Sequence, residues 1–197
     1  TKKRVNVFLD GEFAFGLALQ QAHDLNVGQV LSVSDVDRLR VSDEAEQAYE
    51  KVLRFLAHRP RSEAEVRTRL LRHGLSKEAV QAVLQRLRAA KLIDDAAFAV
   101  FWVENRRAFR PRGPRALRVE LRHKRVSDEV IEAVLEDVDE PSDARRAAGQ
   151  KAARLRGLPV SEQRRKLRTF LAGRGFEYGI INDVIDELMA EKYDYED

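Results

Sequence analysis

The feature that most constrains this chain is a pattern that recurs about every 50 residues. Ala79, Val80, Val83, Leu84 and Leu87 are followed by Val130, Ile131, Val134, Leu135 and Val138. The same spacing returns in Ile180, Ile181, Val184, Ile185 and Leu188. Positions i, i+1, i+4, i+5 and i+8 form one apolar stripe on a helix of about three turns. A second helix precedes each stripe, marked by Val66 and Leu70, by Leu117 and Leu121, and by Leu167 and Leu171. A further helix opens each unit, expected near 44–57, 96–108 and 143–156.

The punctuation between helices repeats as well. Gly74 and Gly175 stand where a helix ends in a left-handed residue, with Arg125 replacing glycine in the middle copy, and Ser76 and Ser127 are placed to cap the next helix. Ser62 and Glu65 have the spacing of a capping box, and Pro60, Pro114 and Pro159 fall between helices. Ahead of the repeats, Val5, Val7 and Leu9 alternate with polar residues, as do Phe13, Phe15 and Leu17, on either side of Asp10-Gly11. This reads as a two-stranded hairpin with a tight turn. Its Phe and Val face is expected to pack on a short helix near 18–25 or on the next unit.

The expected fold is therefore mainly α: three tandem three-helix, helix-turn-helix-like repeats in an elongated array, with a small N-terminal β-hairpin. The division is 1–43 for the hairpin extension and linker, 44–93 for the first repeat, 94–140 for the second, and 141–197 for the third with its acidic tail.

Composition narrows the chemistry. The 197 residues contain no cysteine, which removes disulfides, thiolate metal sites and thiol catalysis and suits a reducing compartment. The longest apolar run, 96–103, is too short to cross a bilayer, and Val5–Leu9 is too short for a signal-peptide core, so a cytoplasmic protein is expected. His23, His58, His73 and His123 are scattered without metal-ligand spacing. Gly173, Gly175 and Gly179 lack the spacing and the preceding strand of a nucleotide loop. Asp94 and Asp95 read as a helix cap rather than a catalytic pair, and Phe98 with Trp102 as core rather than a stacking platform. No catalytic apparatus, metal or cofactor is called for.

Charge is where the sequence is least ordinary. Lys and Arg number 36 against 33 Asp and Glu, a net charge of only +3, yet 35% of residues are charged and the signs are segregated. Basic residues dominate 98–125, 128–143 is wholly acidic among its charged residues, and 145–174 is basic again. Arg115, Arg118 and Arg122 share one helical face, while Arg67, Arg118 and Arg168 are equivalent in the three repeats. Guanidinium forks grip phosphates and carboxylates alike, so this pattern fits either nucleic acid or an acidic protein surface, and in the plainest reading it is a solvated helix face. The candidate partner- or DNA-binding residues are Arg67, Arg106, Arg107, Arg110, Arg112, Arg115, Arg118, Arg122, Lys124, Arg164, Arg165 and Arg168.

Two strings carry a resemblance. Leu92-Ile93-Asp94-Asp95-Ala96-Ala97-Phe98-Ala99 continues through Arg106-Arg107 to Arg112-Gly113-Pro114-Arg115, Leu117, Leu121 and Lys124, and Ala57-His58-Arg59-Pro60-Arg61-Ser62-Glu63-Ala64-Glu65 leads to Leu70. Together they resemble the RecX family over about 45–140. Arg125 stands where that family usually has glycine, and the hairpin looks like an extension that only some members carry. The resemblance implies a non-enzymatic regulator that binds the RecA recombinase filament on single-stranded DNA and inhibits its ATPase, strand-exchange and coprotease activities. It is expected to act as a monomer, without cofactor or membrane. The alternatives are a non-sequence-specific DNA-binding protein of helix-turn-helix type and a scaffold for another acidic protein.

Overall fold

Asp10 and Gly11 adopt positive φ values of 50° and 87°, so the tight turn forms where expected and joins β1 (Arg4–Leu9) to β2 (Glu12–Ala18). In this computed structural model, which describes residues 4–19 and 21–193 with side chains through Ala190, the two strands are antiparallel, with Val5 opposite Leu17 and Val7 opposite Phe15. A bulge follows Val7 and shifts Phe8 opposite Phe13. Both rings are more than half exposed, edge to face at 6.0 Å, so Phe13 does not join the packed face expected of it, while Phe8 lies outward in phase with its strand. The hairpin is anchored instead by buried Leu17 and Ala18 and by Asp43. The Asp43 carboxylate accepts from both terminal nitrogens of Arg4 (3.0 and 2.7 Å), from the Ala18 N–H and from Gln47.

Nine α-helices follow among the described residues: α1 (Val33–Leu56), α2 (Glu63–Arg72), α3 (Lys77–Ala89), α4 (Asp95–Phe109), α5 (Pro114–His123), α6 (Asp128–Glu136), α7 (Glu140–Ala152), α8 (Val160–Ala172) and α9 (Tyr178–Tyr193). The chain divides into two compact units, Thr1–Asp94 and Asp95–Asp197, so the first repeat is one unit and the second and third share the other.

Two expectations at the N-terminal end are corrected. The segment 18–25 holds no helix among its described residues: Ala18 ends β2, and a single turn from the Ala18 carbonyl to the N–H groups of Gln21 and Ala22 is not continued. The segment read as linker up to 43 is helical from Val33. Ser32 and Asp35 form a reciprocal capping box, and Asp35 pairs with Arg38. Val33 and Val41 are exposed and only Val36 and Leu39 are half-buried, so the apolar stripe over these turns is weak. In the third repeat the first helix starts at Glu140, capped by Asp139, and ends in a 3-10 turn at Ala153–Leu155.

The repeated stripes become the cores. Val66, Leu70, Val80, Val83, Leu84 and Leu87 close on Ala48 and Val52. In the second repeat Leu117, Leu121, Ile131 and Leu135 close on Phe98, Ala99 and Val103. In the third, Leu167, Leu171, Ile181, Val184 and Ile185 close on Ala144, Ala147 and Ala148. Gly74 and Gly175 take φ near +80°, and Arg125 occupies the same left-handed position at +59°. Ser76 and Ser127 cap α3 and α6 as expected, and Ser62 forms its capping box with Glu65.

The first repeat carries an ion-paired joint between α2 and α3. Glu63 accepts from Arg88 at 2.6 and 2.8 Å and from Arg67 at 3.1 Å. The Arg88 hydrogen bonds, opposed by partial burial and helped by Arg67, hold the Glu63 carboxyl below the usual carboxylate range. A carboxyl depressed on folding stabilises the protein above its unfolded pKa, and the contribution is lost as pH falls through the folded value. Glu63→Gln should thus lower stability at neutral pH by about 1 kcal/mol, the scale of a partly exposed pair. The gap to the parent in urea titrations should close as pH drops below the ordinary carboxylate range; a pH-independent gap would contradict the assignment.

Candidate functional site

The candidate arginines separate into three groups by what their side chains already hold. Some build the second unit. Arg107 on α4 donates from Nε to Asp143 of α7 at 2.9 Å, and Arg146 donates to the other Asp143 oxygen at 2.6 Å and to the Arg107 carbonyl. Burial works against the Arg107 charge, but the Asp143 carboxylate outweighs it and holds the guanidinium above its ordinary pKa. Arg106 and Arg112 both pair at 2.7 Å with Glu120, which also accepts the Trp102 indole N–H at 2.7 Å. Arg106 and Lys124 lie over the Trp102 ring, at 4.5 and 4.9 Å from its centre. Trp102 is therefore half-buried with cations against its ring, while Phe98 is fully buried in the core.

A second group is paired at the surface. Arg118 grips Glu132 of α6 with two bonds of 2.7 Å. Those hydrogen bonds hold Glu132 below and Arg118 above its ordinary value, against a smaller cost of burial. Arg122 pairs with Asp128 at 2.7 Å, Arg164 with Asp186 at 2.5 Å, and Arg165 lies 3.9 Å from Glu162. Arg67 bonds Glu63 and reaches Gln81 of α3, the repeat-equivalent of Glu132. The stripe Arg115, Arg118 and Arg122 is thus two-thirds occupied by acids of its own repeat.

The third group makes no ion pair, although the Arg115 charge acts on the Glu140 carboxyl. Arg110, Arg115 and Arg168 are exposed and, among the described residues, enter no ion pair, as do Arg125, Arg154 and Arg156, which the sequence reading did not select. Exposed pairs contribute only about 0–1 kcal/mol, so an incoming anion can displace the second group, whereas displacing the first disturbs the fold.

Arg174, which the sequence did not single out, joins the third repeat to the loop that ends the first helix of the second. Its guanidinium donates to the Pro111 carbonyl at 2.8 Å, stacks on Phe170 at 4.4 Å, and so lies beside the loop carrying Arg110 and Arg112. Burial, followed by the neighbouring Arg112 and Arg110 charges, pushes it below its ordinary value. The signal was available: at the repeat spacing Arg174 corresponds to Lys124, which also sits on an aromatic ring. Nearby, Glu140 accepts the Glu177 N–H at 2.7 Å. Burial lifts its carboxyl above the ordinary range despite that bond.

Among the described residues there is no group of three or more His, Asp or Glu that could hold a metal ion, and no helix is long and apolar enough to cross a membrane. The exposed guanidiniums of Arg110, Arg115 and Arg168 are groups that pair chemically with carboxylates and phosphates.

The RecX first, second and third three-helix domain models match residues 48–87, 94–135 and 139–185. Regulatory protein RecX of Prosthecochloris aestuarii is 35% identical over 144 residues, covering 73% of this chain and 95% of its own. That of Mycolicibacterium smegmatis is 38% identical over 154 residues (75% and 82%), and that of Bacillus licheniformis 29% identical over 198 (98% and 75%). A crystal structure of regulatory protein RecX superposes with a TM-score of 0.77 over 94% of each chain at 26% identity. The structure of RecX from Lactobacillus salivarius, at 22% identity and a TM-score of 0.66 over 76% and 99%, shares the fold. Three three-helix domains in order, with relatives matched along nearly the whole chain, place this protein in the RecX family of regulatory proteins.

Proposed function

We propose that this protein restrains the RecA recombinase by binding its filament on single-stranded DNA, without catalysis of its own, in the cytoplasm and as a monomer. Family membership across all three repeats carries the reading. In it, the repeats 44–93, 94–140 and 141–197 act as contact modules and 1–43 as an extension. The unpaired guanidiniums Arg110, Arg115 and Arg168 supply contact to carboxylates or phosphates of the filament, with Arg118, Arg122 and Arg164 recruited by exchange of their surface partners. Binding across neighbouring subunits would hinder the cycling that accompanies ATP hydrolysis and block extension.

The test is steady-state ATP hydrolysis by RecA on single-stranded DNA, with this protein titrated below one molecule per RecA and free DNA in excess. Inhibition is expected under those conditions, which competition for bare DNA cannot produce. Reversing Arg110, Arg115 and Arg168 to Glu should weaken inhibition about tenfold or more, a change of about 1.4 kcal/mol in binding. Full inhibition by that folded variant would remove these residues from the contact. The second reading, direct DNA binding, is favoured by the same unpaired arginines. It predicts no effect on the ATPase alongside tight, steeply salt-dependent binding to naked DNA.

A further inference from the structure

The second repeat closes its core less completely than the third, and helix length is the reason. Helix α9 runs for 16 residues and buries Met189, whereas α6 has nine and ends at Glu136, because Asp139 is already committed to capping α7. At the repeat spacing Asp139 is the counterpart of Met189. Between α4 and α6 an open groove results, floored by Val100, Val103, Val130, Ala133 and Val134, with Val100 50% exposed.

The groove's edges are acidic. Glu104 of α4 and Asp137 at the end of α6 line it, and Glu129 and Glu136 flank Ala133 on the same helical row. Glu129, Glu136 and Asp137 enter no ion pair among the described residues. Arg107, the basic residue at the rim, is held by Asp143 and Glu104. An apolar floor beside unpaired carboxylates repels phosphate, which separates this surface from the arginine faces. It would also repel an acidic helix, so charge complementarity selects the occupant.

We propose that the α4–α6 groove docks a basic amphipathic helix of a protein partner, its apolar residues at i, i+3 or i+4 and i+7 filling the space that a longer α6 would occupy, and its Lys or Arg meeting Glu129, Glu136 and Asp137. This goes beyond the filament reading and does not depend on it.

The experiment uses the full chain and a fluorescein-labelled helical peptide of about 18 residues, with Leu on one face and Lys on the other, followed by anisotropy at physiological salt. Two controls are the Leu/Glu counterpart and a Leu/Lys peptide of the same composition in scrambled order. Saturable binding of the patterned Leu/Lys peptide alone is expected. It should weaken about tenfold or more with Val100→Arg, and likewise with Glu129, Glu136 and Asp137 all changed to Lys, an effect of about 1.4 kcal/mol. Circular dichroism checks each fold, and Ala133→Arg, at an exposed position, substitutes for a variant that fails to fold. Unchanged affinity in the folded variants, or equal binding of the scrambled or Leu/Glu peptide, overturns the proposal.

Discussion

Gly113→Ala is expected to separate the second repeat from the third and to lower stability by about 3 kcal/mol, the upper range for overpacking a tight contact. A β-carbon at Gly113 would lie 2.3 Å from the Gly175 carbonyl oxygen and 2.6 Å from the Phe176 nitrogen. These are backbone atoms and cannot swing aside. The reverse approach is as close: a β-carbon on Gly175 would lie 2.5 Å from the Ala116 nitrogen, and Gly175 also needs its φ of +80°. The Gly113 N–H donates to the Arg174 carbonyl at 3.0 Å, and the Arg174 side chain returns a bond to Pro111, so moving one loop breaks both. Thermal unfolding should show a midpoint lower by about 10 °C or more for a unit of this size. Gly149→Ala is the control. Its added carbon meets nothing within 4 Å on a helix, so it should stabilise by about 0.5–1 kcal/mol. Equal midpoints for Gly113→Ala and the parent would refute the close-packed joint.

Asp143→Ala should cost about 2–3 kcal/mol. Its side chain is 1% exposed and serves Arg107 and Arg146 together. Removing one partner of a buried pair costs about 3–5 kcal/mol because the other charge stays buried. The Arg107 side chain is 28% exposed and can be partly rehydrated, which lowers the expectation. A double-mutant cycle separates pairing from packing: Arg107→Ala with Asp143→Ala should cost less than the two single changes added together. Additive costs in urea titrations would mean that the two residues do not act as a pair.

These two joints govern the relation of the unpaired guanidiniums. Arg110 and Arg115 flank the loop and helix start that Gly113 and Arg174 fasten, and Arg168 stands on α8 of the repeat so joined. Under the proposed function, a variant that loosens either joint would weaken filament inhibition without altering Arg110, Arg115 or Arg168, so a stability measurement must accompany every activity measurement.

The sequence by itself determined the three stripes, their pairing helices, the hairpin turn and the serine caps. Each depends on residues within about one helical turn of one another, where period and hydrogen-bonding geometry are local. The same locality explains its failures. The first three turns of α1 expose Val33 and Val41 and have only Val36, Leu39 and a capping box to mark them, so a reading led by apolar period passed over them. The bulge after Val7 left Phe13 outward beside Phe8, which alternation alone could not foresee. Charge counting found the basic segments but could not tell Arg107, spent on a carboxylate 36 residues away, from unpaired Arg110 three positions later. Arg174 was passed over because its acceptor, Pro111, lies 63 residues back. Only the tertiary structure decided which guanidiniums build the molecule and which stay outside its ion pairs, because a charge is committed by what comes within about 3 Å of it, and that is settled by packing between helices.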